Sequence, residues 1–133
     1  MKKILFFLIL TTSLFSQIEW EKDFATAQKR AKEEKKLILV FMERIDPPCR
    51  WCQKMKNETL KDKKIQNIIN RYFIPVKVIK EIKNYPSFLK SKFVPTIFYL
   101  TKETKLIGKT VGYWDTKDFQ SDLEYVLKRA KKE

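Results

Sequence analysis

The sequence predicts an α/β sandwich in which a small mixed β-sheet is flanked by helices. Three observations lead to this fold class. The apolar run from Leu37 to Met42 does not alternate with polar residues, which is typical of a strand covered on both faces. Stretches with apolar residues at helical spacing precede and follow that run. Two later strand-like runs, Ile97 to Leu100 and Lys105 to Val111, are joined by a short turn and predict a hairpin.

The individual elements follow in order along the chain. Ile18 to Trp20 is interpreted as a short edge strand, and Pro75 indicates that its own strand lies at an edge or starts irregularly. The stretch from Tyr85 to Phe93 is interpreted as a short helix or a turn. The remaining predicted helices are 24–34 after an Asp23 cap, 50 to about 60, 63–72, and a last one capped by Asp115 or Thr116. The predicted strands are 37–42, 73–79, 97–100 and 105–111.

The first sixteen residues are predicted to be a signal peptide, and residues 17–133 a single domain. Lys2 and Lys3 supply a positive start, Ile4 to Leu10 is continuously apolar, and small residues follow up to Ser16. The apolar run is shorter than the about 20 residues that span a bilayer. We therefore expect cleavage after Ser16, with cleavage after Ser13 as the alternative, and a periplasmic or otherwise exported protein. The alternative is an uncleaved segment that tethers the chain to a membrane.

The charge balance is strongly basic, with 29 Lys and Arg against 16 Asp and Glu, or +13. Without Lys2 and Lys3 it is 27 against 16, or +11. Such basicity favours anionic partners. However, the lysines are spread along the chain rather than gathered into one run with interleaved aromatic residues. We therefore predict no nucleic-acid partner and at most a weak attraction to anionic membrane surfaces or acidic substrates.

Cys49 and Cys52 are the only cysteines, and they lie where the strand 37–42 is followed by a helix. Two thiols at this spacing on the first turn of a helix are close enough to bond to each other. The free N–H groups and the dipole of a helix start also favour a thiolate. Our hypothesis is that Cys49 and Cys52 form a redox-active dithiol.

Three other interpretations of the cysteine pair are a structural disulfide, a metal site and covalent haem attachment. A purely structural disulfide would close a very small loop and add little stability. A metal site within one molecule lacks ligands because the chain has no His and no third Cys, although a dimer could bridge a metal through four cysteines. Covalent haem attachment requires His directly after the second Cys, where Gln53 stands. No cofactor is predicted.

With these motifs the chain resembles the thioredoxin-like superfamily, in particular its exported bacterial branch with a Cys-x-Trp-Cys active site. The resemblance rests on the strand 37–42, the motif Cys49 to Cys52, Val94-Pro95-Thr96 before the strand 97–100, and Gly112 before the last helix. It covers essentially all of residues 17–133 and implies a three-layer sandwich. Thioredoxins proper carry Trp before the first cysteine and Gly-Pro between the pair, unlike this chain.

Each candidate site residue has an expected role. Cys49, as the more exposed sulfur, is the expected nucleophile, and Cys52 resolves the mixed disulfide. Arg50 and Lys54 add positive potential that stabilises the thiolate. Trp51 is interpreted as a partner contact or as a cover for the helix start.

Five further residues have candidate roles, and the resemblance implies those of Val94 and Pro95. Pro95 should be a cis proline that faces the cysteines, with the backbone of Val94 pairing to substrate. Glu43 is interpreted either as an ordinary strand-end carboxylate or, by the resemblance, as a buried acid that assists proton transfer. Tyr113 and Trp114 either line a groove or serve as packing.

The predicted function is that of an exported thiol–disulfide oxidoreductase. Its expected partners are protein thiols or disulfides and a recycling redox protein of unknown identity, and the expected state is a monomer. The alternative from another class is a non-catalytic thioredoxin-fold binding module in which the Cys49–Cys52 bond is structural.

Overall fold

The fold is described from a computed structural model, in which residues 17–132 are described. The predicted signal peptide lies outside these residues. Among them there is no helix that is both long and apolar enough to cross a membrane. The helices are α1 (Phe24–Glu34), α2 (Arg50–Asn57), α3 (Lys63–Tyr72) and α4 (Thr116–Ala130), with a 3-10 turn at Thr59–Lys61. The strands are β1 (Leu37–Glu43), β2 (Phe73–Ile79), β3 (Thr96–Leu100) and β4 (Leu106–Val111).

The four strands form one mixed sheet in the order β2-β1-β3-β4. β1 pairs in parallel with β2 and antiparallel with β3, and β3 and β4 form the predicted hairpin. β1 is therefore an inner strand, and all of its residues after Leu37 are buried. β2 is an edge strand, as Pro75 predicts. The predicted fold class, a three-layer sandwich with a small mixed sheet, is confirmed.

Each face of the sheet packs against its own set of helices. We call the face covered by α1 the one-helix face; its core contains Ala27, Ala31 and Val40, and the segment 80–95 closes it with Leu89. We call the opposite face, covered by α2, α3 and α4, the three-helix face. Its core gathers Met55, Ile65, Ile69, Phe119 and Leu123 with the inner residues Leu39, Phe41, Ile97 and Tyr99. The cysteine helix α2 thus belongs to the three-helix face.

Helix starts follow the sequence signals. The carboxylate of Asp23 accepts a hydrogen bond from the Thr26 N–H, and that of Asp62 accepts from the Lys64 and Ile65 N–H groups. The last helix is capped by Asp115, which accepts from the Asp118 N–H. Each cap satisfies an N–H that the first turn of a helix leaves unpaired. The predicted caps Asp23 and Asp115 are confirmed.

One segment differs from its sequence-based interpretation, and another takes the second of its two predicted forms. Ile18 to Trp20 does not form a strand, and only Glu21 makes an isolated bridge, to Val76 of β2. The segment 85–93 contains turns and no helix. Its shape depends on contacts distant in sequence, such as the Lys80 ammonium donating to the Lys92 carbonyl at 2.9 Å. Local periodicity carries no information about such contacts.

Candidate active site

The two cysteines stand at the start of α2 and are joined by a disulfide. Cys49 is the N-cap residue, with an extended backbone, and its Sγ accepts a hydrogen bond from the Cys52 N–H at 3.1 Å. The Cα atoms are 5.2 Å apart. A sulfur in this position receives an N–H and lies at the positive end of the helix dipole, so its thiolate would be stabilised after reduction.

Both cysteines are buried, Cys52 as predicted and Cys49 more than predicted. Cys49 is 4% exposed and Cys52 is completely buried. The predicted order of exposure holds, but Cys49 is not an open surface residue, because its capping position turns its side chain inward over α2. A partner must therefore approach Cys49 closely and in a defined direction.

The loop that ends in Pro95 faces the disulfide. The Val94–Pro95 peptide bond is cis, and the Val94 carbonyl oxygen lies 3.8 Å from the Sγ of Cys49. The oxidised sulfur has no hydrogen to donate, whereas a Cys49 thiol in this position could donate one to that carbonyl. The Gly112 N–H donates to the Pro95 carbonyl at 2.8 Å. Gly112 has a φ of +84°, a conformation that favours glycine.

The loop that precedes Cys49, residues 44–48, is held by hydrogen bonds from side chains inside and outside it. Arg44 donates to the carbonyl of Pro47 at 2.8 Å and approaches that of Pro48 at 3.4 Å. The Glu81 carboxylate accepts a hydrogen bond from the Asp46 N–H at 2.6 Å. This backbone donor lowers the pKa of Glu81. The Asp46–Pro47 bond is also cis. Sequence reasoning did not identify this second cis bond.

Two aromatic rings and two cations surround the mouth of the site. Trp51 is 50% exposed, and its ring centroid lies 5.8 Å from that of Tyr113. The Lys54 ammonium is 5.3 Å from the Trp51 ring and 4.8 Å from the Tyr113 ring. The Arg50 guanidinium is 5.8 Å from the Trp51 ring. The cations thus lie over aromatic faces near the helix start, an attractive arrangement.

Tyr113 and Trp114 have different surroundings. The Tyr113 hydroxyl donates to a Glu58 carboxylate oxygen at 3.1 Å, which places the ring at the mouth of the site. Trp114 packs against the core of the three-helix face, and its carbonyl accepts from the Thr59 hydroxyl at 2.7 Å. Both residues therefore serve as packing, and Tyr113 also borders the site.

Glu43 is buried at the end of β1 and paired with a lysine. It is 3% exposed, and its carboxylate accepts from the Lys56 ammonium at 2.6 Å. Nearby, the pKa of Lys77 is lowered by burial and by the charges of Lys56 and Lys61, while Glu43 opposes that shift. Glu43 is therefore a buried acid with a lysine partner, and its role in proton transfer stays a prediction.

Lys56 is the site residue that sequence reasoning missed. A signal for it exists, since Lys56 follows Cys49 by seven positions on α2 and so lies on the same helical face two turns later. A buried acid also requires a partner, and a lysine on the packed helix is an obvious candidate.

No metal-binding cluster is present in the described part of the chain. Within residues 17–132, no three or more His, Cys, Asp or Glu side chains gather closely enough to hold a metal ion. The two cysteine sulfurs, the softest ligands available, are bonded to each other.

The chain belongs to the thioredoxin-like domain family, whose model matches residues 24–127. Among curated proteins, none matches this chain in sequence. The matched range includes the cysteine pair, Val94-Pro95 and most of α4.

Solved structures share the fold at low sequence identity. A thioredoxin from Thermus thermophilus superimposes with a TM-score of 0.70 at 18% identity, covering 84% of this chain and 88% of that protein. DsbH oxidoreductase gives 0.66 at 19% identity, covering 90% and 92%. The periplasmic thioredoxin SoxS from Paracoccus pantotrophus gives 0.57 at 20% identity, covering 71% and 99%. These likenesses establish the shared fold.

Family and site together define the class of the protein. A member of the thioredoxin-like family with a Cys-x-x-Cys disulfide at the start of the helix after its inner strand is a thiol–disulfide oxidoreductase.

Proposed function

We propose that this protein is exported and that its Cys49–Cys52 couple exchanges disulfides with protein substrates. The observation that carries the proposal is the disulfide at the start of α2, with the Cys49 sulfur 3.8 Å from the carbonyl of Val94. This arrangement puts the reactive bond beside a backbone edge to which a visiting polypeptide can pair.

The exchange reaction needs only the two sulfurs and an incoming thiol. In the oxidising direction, a substrate thiolate attacks the Sγ of Cys49, the Cys49–Cys52 bond breaks, and Cys52 leaves as a thiolate. A second substrate thiolate then attacks the substrate sulfur of the mixed disulfide and releases Cys49, so that the substrate is oxidised by two electrons and the protein is reduced. In the reducing direction the same steps run backwards, with Cys49 as the nucleophile and Cys52 as the resolving thiol.

The surrounding residues would serve this reaction in distinct ways. Val94 offers its backbone to the substrate, Pro95 shapes that loop against the cysteines, and Trp51 offers an exposed ring for contact. Arg50 and Lys54 would stabilise the Cys49 thiolate, because positive charge near a thiol favours its ionised form. The buried Glu43 would move protons to and from the cysteine pair.

Export is supported by the layout of residues 1–16 and by the chemistry of the pair. Disulfides persist outside the cytoplasm, and SoxS, which shares the fold, is described as periplasmic. We expect the mature chain to begin at Gln17. Mass spectrometry of the protein isolated from a periplasmic extract measures this directly, and recovery of the chain with residues 1–16 in a membrane fraction would contradict it.

The first experiment separates catalysis from a structural disulfide. Wild type is expected to accelerate the reduction of insulin by dithiothreitol, and Cys49→Ser is expected to fall to the uncatalysed rate, because the remaining thiol of Cys52 is completely buried. If wild type does not exceed the uncatalysed rate, the binding-module interpretation is favoured, and if Cys49→Ser matches an active wild type, Cys49 is not the nucleophile. Circular dichroism of both proteins shows whether the variant is folded.

The second experiment gives the direction of electron flow. Equilibration of the Cys49–Cys52 couple with glutathione buffers measures its potential, and related folds span about −270 to −120 mV. We expect Arg50 to shift the value toward the oxidising end, since it stabilises the reduced thiolate form. A lower potential in Arg50→Gln than in wild type would agree, and an unchanged potential would remove Arg50 from this role.

A further inference from the structure

A groove beside the disulfide is not explained by the exchange chemistry. It has a volume of about 620 Å³ and is lined by Lys90, Ser91, Lys92, Phe93, Lys109 and Val111. One wall is the segment that leads into Val94, and the other is the end of the edge strand β4. Phe93 directly precedes Val94, and Val111 directly precedes Gly112. Phe93 is therefore the chain neighbour of the residue whose carbonyl contacts Cys49.

The loop wall of this groove is held in place. The Lys109 ammonium donates to the Lys90 carbonyl at 3.2 Å, which links β4 to the loop. The Lys80 ammonium donates to the Lys92 carbonyl, and the buried Thr96 hydroxyl donates to the Phe93 carbonyl at 2.6 Å. A wall fixed by three side chains presents its own exposed groups in a defined geometry.

The groove combines exposed apolar side chains with three lysines, which we call its cationic rim. Phe93 is 66% exposed and Val111 is also exposed, so both offer apolar surface. None of the three lining lysines makes an ion pair within residues 17–132, and no carboxylate lines the groove. The positive potential of the rim is therefore uncompensated, and a partner with carboxylates would gain from it.

We propose that the groove binds the segment of a protein substrate next to its reactive cysteine, and that it selects segments in which an apolar side chain is flanked by Asp or Glu. This inference rests on the proposed function, since it names the substrate class of the same site. The apolar side chain would contact Phe93 and Val111, and the carboxylates would meet Lys90, Lys92 and Lys109. A polypeptide segment can enter a concave groove near a reactive sulfur, whereas a flat membrane surface cannot.

The test compares two disulfide-linked peptide dimers that differ only beside their cysteine. One carries two glutamates around a leucine, and the other carries two glutamines. The reduced protein is mixed with each dimer, the reaction is quenched with acid, and the released peptide is quantified by chromatography. At low ionic strength we expect the glutamate dimer to react at least about fivefold faster, and in about 0.5 M salt we expect the difference to shrink, because salt screens exposed charges.

Matched variants assign the preference to the groove. In Lys90→Gln/Lys92→Gln the ratio of the two rates is expected to fall toward one, and using the ratio cancels any general change in reactivity. Lys128→Gln/Lys131→Gln removes the same charge at the end of α4, which lies by the start of β1 and away from the cysteines. This control is expected to keep the wild-type ratio.

The outcomes distinguish this inference from the function on which it rests. Equal rates for the two dimers in wild type, or a ratio that survives in Lys90→Gln/Lys92→Gln, would overturn the inference. If wild type still reduces the small uncharged hydroxyethyl disulfide in that case, the proposed function stands without it. If wild type reduces no disulfide at all, both fail. Binding to phosphatidylglycerol vesicles that needs Lys90 and Lys92, without a peptide preference, would assign the groove to membranes and also overturn the inference.

Discussion

The two faces of the central sheet differ in what they bury. Along β1, Ile38, Val40 and Met42 point to the one-helix face, where they pack among apolar side chains and no buried ion pair is present within residues 17–132. The alternate residues point to the three-helix face, and there the strand ends in Glu43, which is paired with Lys56 of α2. The three-helix face also buries the Tyr99 hydroxyl, which donates to a carboxylate oxygen of Asp122 at 2.9 Å.

Because of this difference, we expect the one-helix face to contribute to stability alone and the three-helix face to contribute to stability and to chemistry. The one-helix face contributes apolar burial, which stabilises the fold without specifying a reaction. The three-helix face adds polar pairs to its apolar packing, and one of these pairs lies on the helix that carries the cysteines. Substitutions on the first face should therefore affect only folding, whereas those at Glu43 and Lys56 should affect folding and thiol exchange together.

The largest effect on stability is expected on the one-helix face. Ile38 is fully buried at the end of β1 away from the cysteines, so Ile38→Ala should lower the free energy of unfolding by about 2–5 kcal/mol through lost burial and a cavity. Urea denaturation of the oxidised protein measures this. Insulin reduction by the folded variant should match wild type. A slower reaction would contradict the proposal that the one-helix face affects only folding.

A smaller loss of stability, joined to a loss of exchange rate, is expected at Glu43. Glu43→Gln removes the carboxylate from Lys56 and should lower the free energy of unfolding by about 1–3 kcal/mol. It should also slow insulin reduction, because the pair lies beside α2 and Glu43 is the proposed proton carrier. Stopped-flow measurement of single-turnover exchange over a range of pH checks the second effect.

The matched control for Glu43 removes both charges. Glu43→Gln/Lys56→Met leaves no unpaired ammonium, so it should recover part of the lost stability but none of the lost exchange rate. Strictly additive losses of stability would show that the two side chains do not interact, contrary to the contact of 2.6 Å.

The smallest effect is expected for Tyr99, whose hydroxyl also contacts the Thr110 hydroxyl. Tyr99→Phe should cost about 1 kcal/mol at neutral pH. Burial, with the charge of Asp122, raises the pKa of Tyr99 well above its ordinary 10.0. Its contribution to stability is therefore intact below pH 10.0 and is lost as the pH rises above it. Wild type should lose more stability than the variant in alkaline denaturation series, and parallel curves would contradict this.

Much of the fold could be predicted because its elements carry strong local signals. The bounds of α3 and β2 agree with the predicted segments 63–72 and 73–79, since α3 has a regular apolar stripe behind an Asp62 cap. β1 runs one residue further than predicted, to Glu43, because a charged residue at a strand end gives no sign that it is buried. The turns of 85–93 depend on hydrogen bonds from distant residues, which the sequence does not show.

The site was predictable in its chemistry but not in its surroundings. The cysteine spacing and the Val94-Pro95-Thr96 motif are local, and they located the disulfide and the loop that faces it. The contact between Trp51 and Tyr113 and the groove around Phe93 bring together segments far apart in sequence. Lys90 and Lys92, followed by the aromatic Phe93 just before Val94, were the available sign of that groove.

The most direct test of this account is to trap the mixed disulfide. Reduced Cys52→Ser, which lacks the resolving thiol, is mixed with insulin, and the products are digested without reduction and analysed by mass spectrometry. We predict an insulin chain bonded to Cys49, because its sulfur is the one at the helix start that faces Val94. Absence of any adduct, or an adduct on Cys52 in Cys49→Ser that forms as fast, would contradict the proposed exchange through Cys49.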